Sequence, residues 1–201
     1  MSVTASSLSR PVLGDLLAAS RVRDVATARV RDAALVVGGA ATVALVGQVA
    51  IPLPFTPVPL TLGTFAVLLV GSALGPVRAL ASLTLFLLAA VTGVPVLAGW
   101  ESGWALASFG YALGYLPVAV LAGWLARRGA DRSVWRTALG TLAAAAVVYA
   151  VGVPWLMEFT GMTFTQALAL GVAPFLVGDA IKAVAAATLL PATWRLLGER
   201  G

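Results

Sequence analysis

The chain has 201 residues, 60% of them hydrophobic and 10% charged, with a mean hydropathy of +0.99. A soluble domain carries about 25% charged residues, so the composition excludes one and specifies an all-α integral membrane protein of a single domain. With no cysteine and no histidine, disulfides, thiol and imidazole catalysis and the usual zinc or copper sites are excluded too.

Residues 1–32 are polar and arginine-rich and read as a cytoplasmic tail. They show no apolar segment of the kind a secretory signal needs. From Ala33 to Val77 there is no charge for 45 residues. One helix of that length would reach roughly 68 Å, twice a bilayer's hydrocarbon core. Pro52, Pro54, Pro57 and Pro59 break it. Span one is therefore 33–51 and span two 60–74, joined by a short apolar proline loop.

Gly75-Pro76-Val77-Arg78 makes a tight turn, and 79–100 forms span three, with Gly93 and Pro95 expected to bend or end it. The loop Gly99-Trp-Glu-Ser-Gly-Trp104 suits a membrane interface. Span four covers 107–126. The polar loop 127–136 follows, then span five at 137–156, ending near Pro154-Trp155. Span six, 165–191, has an expected kink at Pro174. The membrane domain is thus 33–192, and 193–201 form a second cytoplasmic tail. No internal repeat or soluble second domain is visible.

Six spans put both termini on one side. With the N-terminus cytoplasmic, every arginine is inside and the outer loops hold only Glu101 and Glu158 as charges, as the positive-inside rule requires. Membrane orientation thus explains the net charge of +5, and no nucleic-acid partner is expected. The carboxylates Asp15, Asp24, Asp32, Glu101, Asp131 and Glu158 form no cluster for a hard metal ion. Neither metal nor cofactor is expected.

Asp179 and Lys182, the only lysine, lie in the apolar run of span six. At i, i+3 on a helix they share one face. Each charge near a bilayer centre costs about 2.5–3.5 kcal/mol, and such groups face the protein interior and pair. They read either as an ion pair that locks helix packing or as a ligand site for a solute with both donors and acceptors. Ser108, Gly110 and Tyr111 at the start of span four are either interfacial packing or a glycine-thinned wall of that site. The proline loop, with Pro54, Phe55, Thr56 and Pro57, is a connector or a lid over the pocket; Trp100 and Glu101 lie beside it. Trp100, Trp104 and Trp155 read as membrane-belt residues. Small residues on span one, Ala34, Gly38 and Thr42 with Ala40 and Ala44, allow close helix contact.

Ile51-Pro-Leu-Pro-Phe-Thr-Pro-Val-Pro-Leu-Thr-Leu62, Leu74-Gly-Pro-Val-Arg78, Gly93-Val-Pro-Val-Leu-Ala-Gly99 and Gly178-Asp-Ala-Ile-Lys182 together resemble the BioY family. These are biotin-binding S-components of energy-coupling-factor (ECF) transporters. The resemblance implies a six-helix S-component-like bundle in the plasma membrane that binds biotin from outside, with Asp179 and Lys182 touching the vitamin. It also implies an ECF transmembrane coupling subunit and two ATPase subunits as partners, in contact with membrane lipid. This chain has no Gly-x-x-x-x-Gly-Lys-[Ser/Thr] phosphate loop of its own, so it is expected to be no enzyme. Where many members read Gly-Pro-[Ser/Thr]-Gly-Gly-Tyr, this sequence has Ala107-Ser-Phe-Gly-Tyr111, and the amide side chain common in the preceding loop is absent from Trp100-Glu-Ser-Gly-Trp104. The alternatives are an S-component for another small solute and a structural membrane subunit without a ligand.

Overall fold

The structure is a computed structural model that describes residues 10–18 and 25–198; the parts of the two tails at 1–9, 19–24 and 199–201, with Asp24 and Glu199, lie outside the described residues. Helix α1 (Leu13–Ala18) is followed by α2 (Val25–Val46). The proline segment is a small hairpin, β1 (Ala50–Ile51) paired antiparallel with β2 (Leu60–Thr61). Then come α3 (Gly63–Leu74), α4 (Pro76–Val91), α5 (Phe109–Leu113) and α6 (Tyr115–Arg127). A 3₁₀ turn at Ala130–Arg132 leads into α7 (Val134–Thr160); α8 (Phe164–Gly171), a second 3₁₀ turn at Ala173–Phe175 and α9 (Leu176–Leu196) complete the chain.

The expected six spans correspond to α2, α3, α4, α5 with α6, α7, and α8 with α9. Three of these stretches, Phe109–Arg127, Val134–Thr160 and Phe164–Leu196, are long and apolar enough to cross a membrane, while α3 and α4 are shorter apolar helices. Several boundaries differ from expectation for local reasons. Helix α2 starts eight residues before Ala33, and its Asp32 is paired with Arg78 Nη2 at 3.1 Å. Span three ends at Val91, so 92–108 is a long loop. Pro154 lies inside α7, which runs on to a left-handed Gly161. One proline removes one backbone rung, and an apolar surrounding gives the remaining rungs no better partner. Span six does break near Pro174, between Gly171 and Leu176.

Glycines let the helices touch. A Cβ on Gly71 of α3 would lie 2.7 Å from the Ala122 Cβ of α6, and one on Gly123 would collide with the Gly75–Pro76 backbone. Pro76 starts α4 where its missing N–H costs nothing. Val67, Leu83 and Val118 are fully buried between these three helices.

The bundle has two unlike ends. At one, Asp15 of α1 binds Arg78 Nη1 at 3.0 Å and Arg127 Nη1 at 2.5 Å, the Arg10 amide donates to the Arg127 carbonyl at 2.8 Å, and Val12 is fully buried. The described part of the N-terminal tail at 10–18 is thus docked onto the helices. Nearby, the Trp194 indole donates to Asp131 Oδ2 at 2.6 Å, and the Arg132 guanidinium covers the Trp194 ring at 4.1 Å. Arginines gather here, the distribution that marks the cytoplasmic side. The other end carries the hairpin, the 92–108 loop and the α7–α8 turn.

Candidate functional site

The site lies at the hairpin end, where α9 begins. After the Ala173–Phe175 turn, Leu176 and Val177 of α9 are exposed, and Gly178 packs so closely on Leu60 of β2 that a Cβ would lie 2.8 Å from Leu60 Cδ1. One turn on, Asp179 and Lys182 are both buried, with Lys182 Nζ donating to Asp179 Oδ1 at 3.1 Å. The other carboxylate oxygen accepts a short hydrogen bond from the hydroxyl of Tyr149 on α7. Both charges therefore have partners, as burial in a low-dielectric medium requires.

A cavity opens above this triad, with about 800 Å³ of space between atoms when its mouth is counted. Its floor is Asp179, Lys182 and Tyr149; its walls include Val43, Phe86, Val148 and Phe175; and its upper rim is Pro59, Val96, Ala98 and Ser108. The lining is mostly apolar with a few convergent polar groups, the usual character of a small-molecule site. Tyr115 adds a second polar corner, lining the cavity beside Thr61 and Thr64. Gly63 makes room for it, since a Cβ there would strike the Tyr115 oxygen.

Of the residues singled out in the sequence, Asp179, Lys182, Ser108 and Tyr111 come together around this cavity. Tyr111 has a packing duty as well. Its hydroxyl donates to the Gly171 carbonyl at 2.8 Å, and its ring fills the space left by Gly152, where a Cβ would lie 2.7 Å from ring carbons. Gly110 does not line the cavity; the Trp155 side chain occupies the place of its missing Cβ. Trp155 in turn donates from Nε1 to the Leu106 carbonyl at 2.9 Å, so it braces α5 against α7.

Thr56, Pro57 and Glu101 line an outer groove that shares Pro59, Ala98 and Ser108 with the cavity. Pro54, Phe55 and Trp100 line neither, and Phe55 and Trp100 are exposed. The proline hairpin therefore meets the cavity through Val58 and Pro59 and the outer groove through Thr56 and Pro57.

Sequence reasoning missed Tyr149, Tyr115, Thr61, Thr64 and Gln48. Gln48 joins the two outer segments. Its Nε2 donates to the carbonyls of Val96 at 3.2 Å, Leu97 at 3.0 Å and Ala44 at 3.0 Å, and its Oε1 accepts the Trp100 amide at 3.0 Å. A lone amide at the end of an apolar span was the available signal. Among the described residues no group of three or more metal-binding side chains gathers.

The chain is similar to known proteins. The BioY family profile matches residues 19–199. The chain is 38% identical over 130 residues to the probable biotin transporter BioY of Pyrococcus horikoshii, covering 65% of this chain and 76% of that one. It is 33% identical over 149 residues to the biotin transporter BioY of Rhizobium etli, covering 69% and 79%, and 30% identical over 169 residues to that of Thermotoga maritima, covering 83% and 98%. The crystal structure of the S-component for biotin from an ECF-type ABC transporter superposes with a TM-score of 0.74 at 25% identity, over 87% of this chain and 95% of that one. A profile match across nearly the whole chain, joined to this fold, makes the chain a member of the BioY family.

Proposed function

We propose that this chain is the biotin-binding subunit of a vitamin-uptake system, a multi-pass protein of the plasma membrane that captures biotin and delivers it to the cell. The observation that carries the reading is the buried Asp179–Lys182 pair at the floor of a mostly apolar cavity. A ureido group places an N–H donor beside a C=O acceptor, matching a carboxylate beside an ammonium. The apolar walls suit the thioether ring and the alkyl chain.

Relatives named as biotin transporters and the S-component likeness support the assignment. The chain is a transport component and not an enzyme, and its 201 residues include no phosphate loop. Energy then comes from partners: an ECF transmembrane coupling subunit and two ATPase subunits. Isothermal titration of the detergent-purified protein tests the core of the proposal. Wild type binds biotin tightly, and Asp179→Asn weakens it at least tenfold, about 1.4 kcal/mol. Unchanged affinity in that variant would remove Asp179 from the site.

A further inference from the structure

The outer groove has a chemistry of its own. It runs between Leu53, Thr56 and Pro57 of the hairpin and Gly99 and Glu101 of the facing loop, and three residues form a common wall with the cavity. That wall is built, since Gln48 ties the loop to the end of α2 by hydrogen bonds to Val96, Leu97 and Trp100. The loop is closed on itself by the Leu97 amide, which donates to the Glu101 carbonyl at 3.0 Å. Glu101 is the one charged side chain lining the groove.

A ligand that places its ureido group on Asp179 and Lys182 directs its alkyl chain away from them, toward the rim shared with the groove. A free carboxylate emerging there meets a like charge at Glu101. An amide-linked extension ending in a primary ammonium meets its counter-ion, and the groove supplies apolar proline and leucine surface for the connecting methylenes. We infer that the outer groove is a second subsite, one that accepts amide-extended biotin derivatives carrying a primary ammonium. This rests on the reading of the inner cavity as the biotin site.

The test uses the full chain in detergent at low ionic strength with four probes: biotin, 5-(biotinamido)pentylamine, the uncharged N-pentyl amide of biotin, and 6-biotinamidohexanoate. The cationic probe binds about fivefold tighter than the anionic one, the scale of an exposed ion pair, and the preference shrinks at high salt. Glu101→Gln reduces it to less than about twofold and does not weaken binding of biotin itself, whose carboxylate loses a like charge. A cationic preference that survives Glu101→Gln, or no preference in wild type, overturns the subsite. So does binding of biotin with rejection of all three extended probes. Failure of biotin itself to bind strikes the underlying assignment instead.

Discussion

Gln48 and Trp100 are 52 positions apart, yet the side-chain oxygen of one accepts the backbone amide of the other at 3.0 Å. Trp100 has φ +60° and is the one non-glycine residue with positive φ among the described residues. A left-handed conformation costs such a residue roughly 1–3 kcal/mol. The hydrogen bond helps to hold that turn, and with it the Val96–Ala98 rim of the cavity. Gln48→Leu keeps the side chain's bulk but removes the partner of the Trp100 amide and of three carbonyls. The expected result is biotin affinity lowered about tenfold or more, with faster dissociation in stopped-flow measurements. Trp100→Gly relieves the strained φ and leaves biotin affinity within about threefold.

Tyr149→Phe removes the hydroxyl that donates to Asp179 and nothing else. A hydrogen bond to a charged group is worth about 1.5–3 kcal/mol, so biotin affinity falls by roughly ten- to a hundredfold. The melting temperature of the unliganded protein also falls. Titration calorimetry and thermal unfolding read the two effects separately, and wild-type values for both would exclude Tyr149 from the site.

Lys182→Met leaves the Asp179 charge buried without its ammonium, which costs about 3–5 kcal/mol of stability. The double variant Asp179→Leu, Lys182→Met removes both charges and folds at least as well as the single one. It does not bind biotin. A folded double variant that binds as wild type would make the pair a packing device alone.

Much of this was legible because the signals were chemical and local. Four prolines in 52–59 located the first reversal, and two charges in an apolar run located the floor of the cavity. Tyr149 was hidden because only the packing of α7 on α9 brings it to Asp179, thirty residues on. The N-terminal segment was hidden for a different reason: the partners of Asp15 and Asp32 include Arg78, tens of residues further along the chain. Gly110 looked like a place for a ligand to approach and is instead a place for Trp155.

At the basic end, burial raises the Asp15 carboxyl, but the Val12 amide and the guanidinium groups of Arg78 and Arg127 outweigh it and bring its pKa below the usual 3.8. A lowered folded-state pKa contributes stability that is complete above the unfolded value and is lost as pH falls through the folded one. Asp15→Asn therefore lowers the melting temperature at pH 7 and diminishes the loss on going to about pH 3. Hydrogen exchange at the Arg10 amide, which is held by the Arg127 carbonyl, becomes faster, while biotin affinity at the far end stays within about twofold.

Asp131 has the opposite sign. Burial raises its pKa, against the Trp194 indole and the charges of Arg132 and Arg10, and Oδ1 has no hydrogen-bond partner. A raised carboxylate pKa means stability declines as pH rises from the unfolded value to the folded one. Asp131→Asn keeps an acceptor for Trp194 and removes the buried charge. Its melting temperature at pH 7 should equal or exceed that of wild type, with a flatter dependence above pH 4 in differential scanning fluorimetry.

The hairpin over the cavity pairs only Ala50 and Ile51 with Leu60 and Thr61, and Pro52 and Pro59 flank those residues directly. A proline offers no amide hydrogen to a neighbouring strand. This small sheet therefore has almost no edge on which a second chain could continue it. The exposed Ile51 and Phe55 can face lipid or headgroups in a crowded bilayer without seeding intermolecular β-structure.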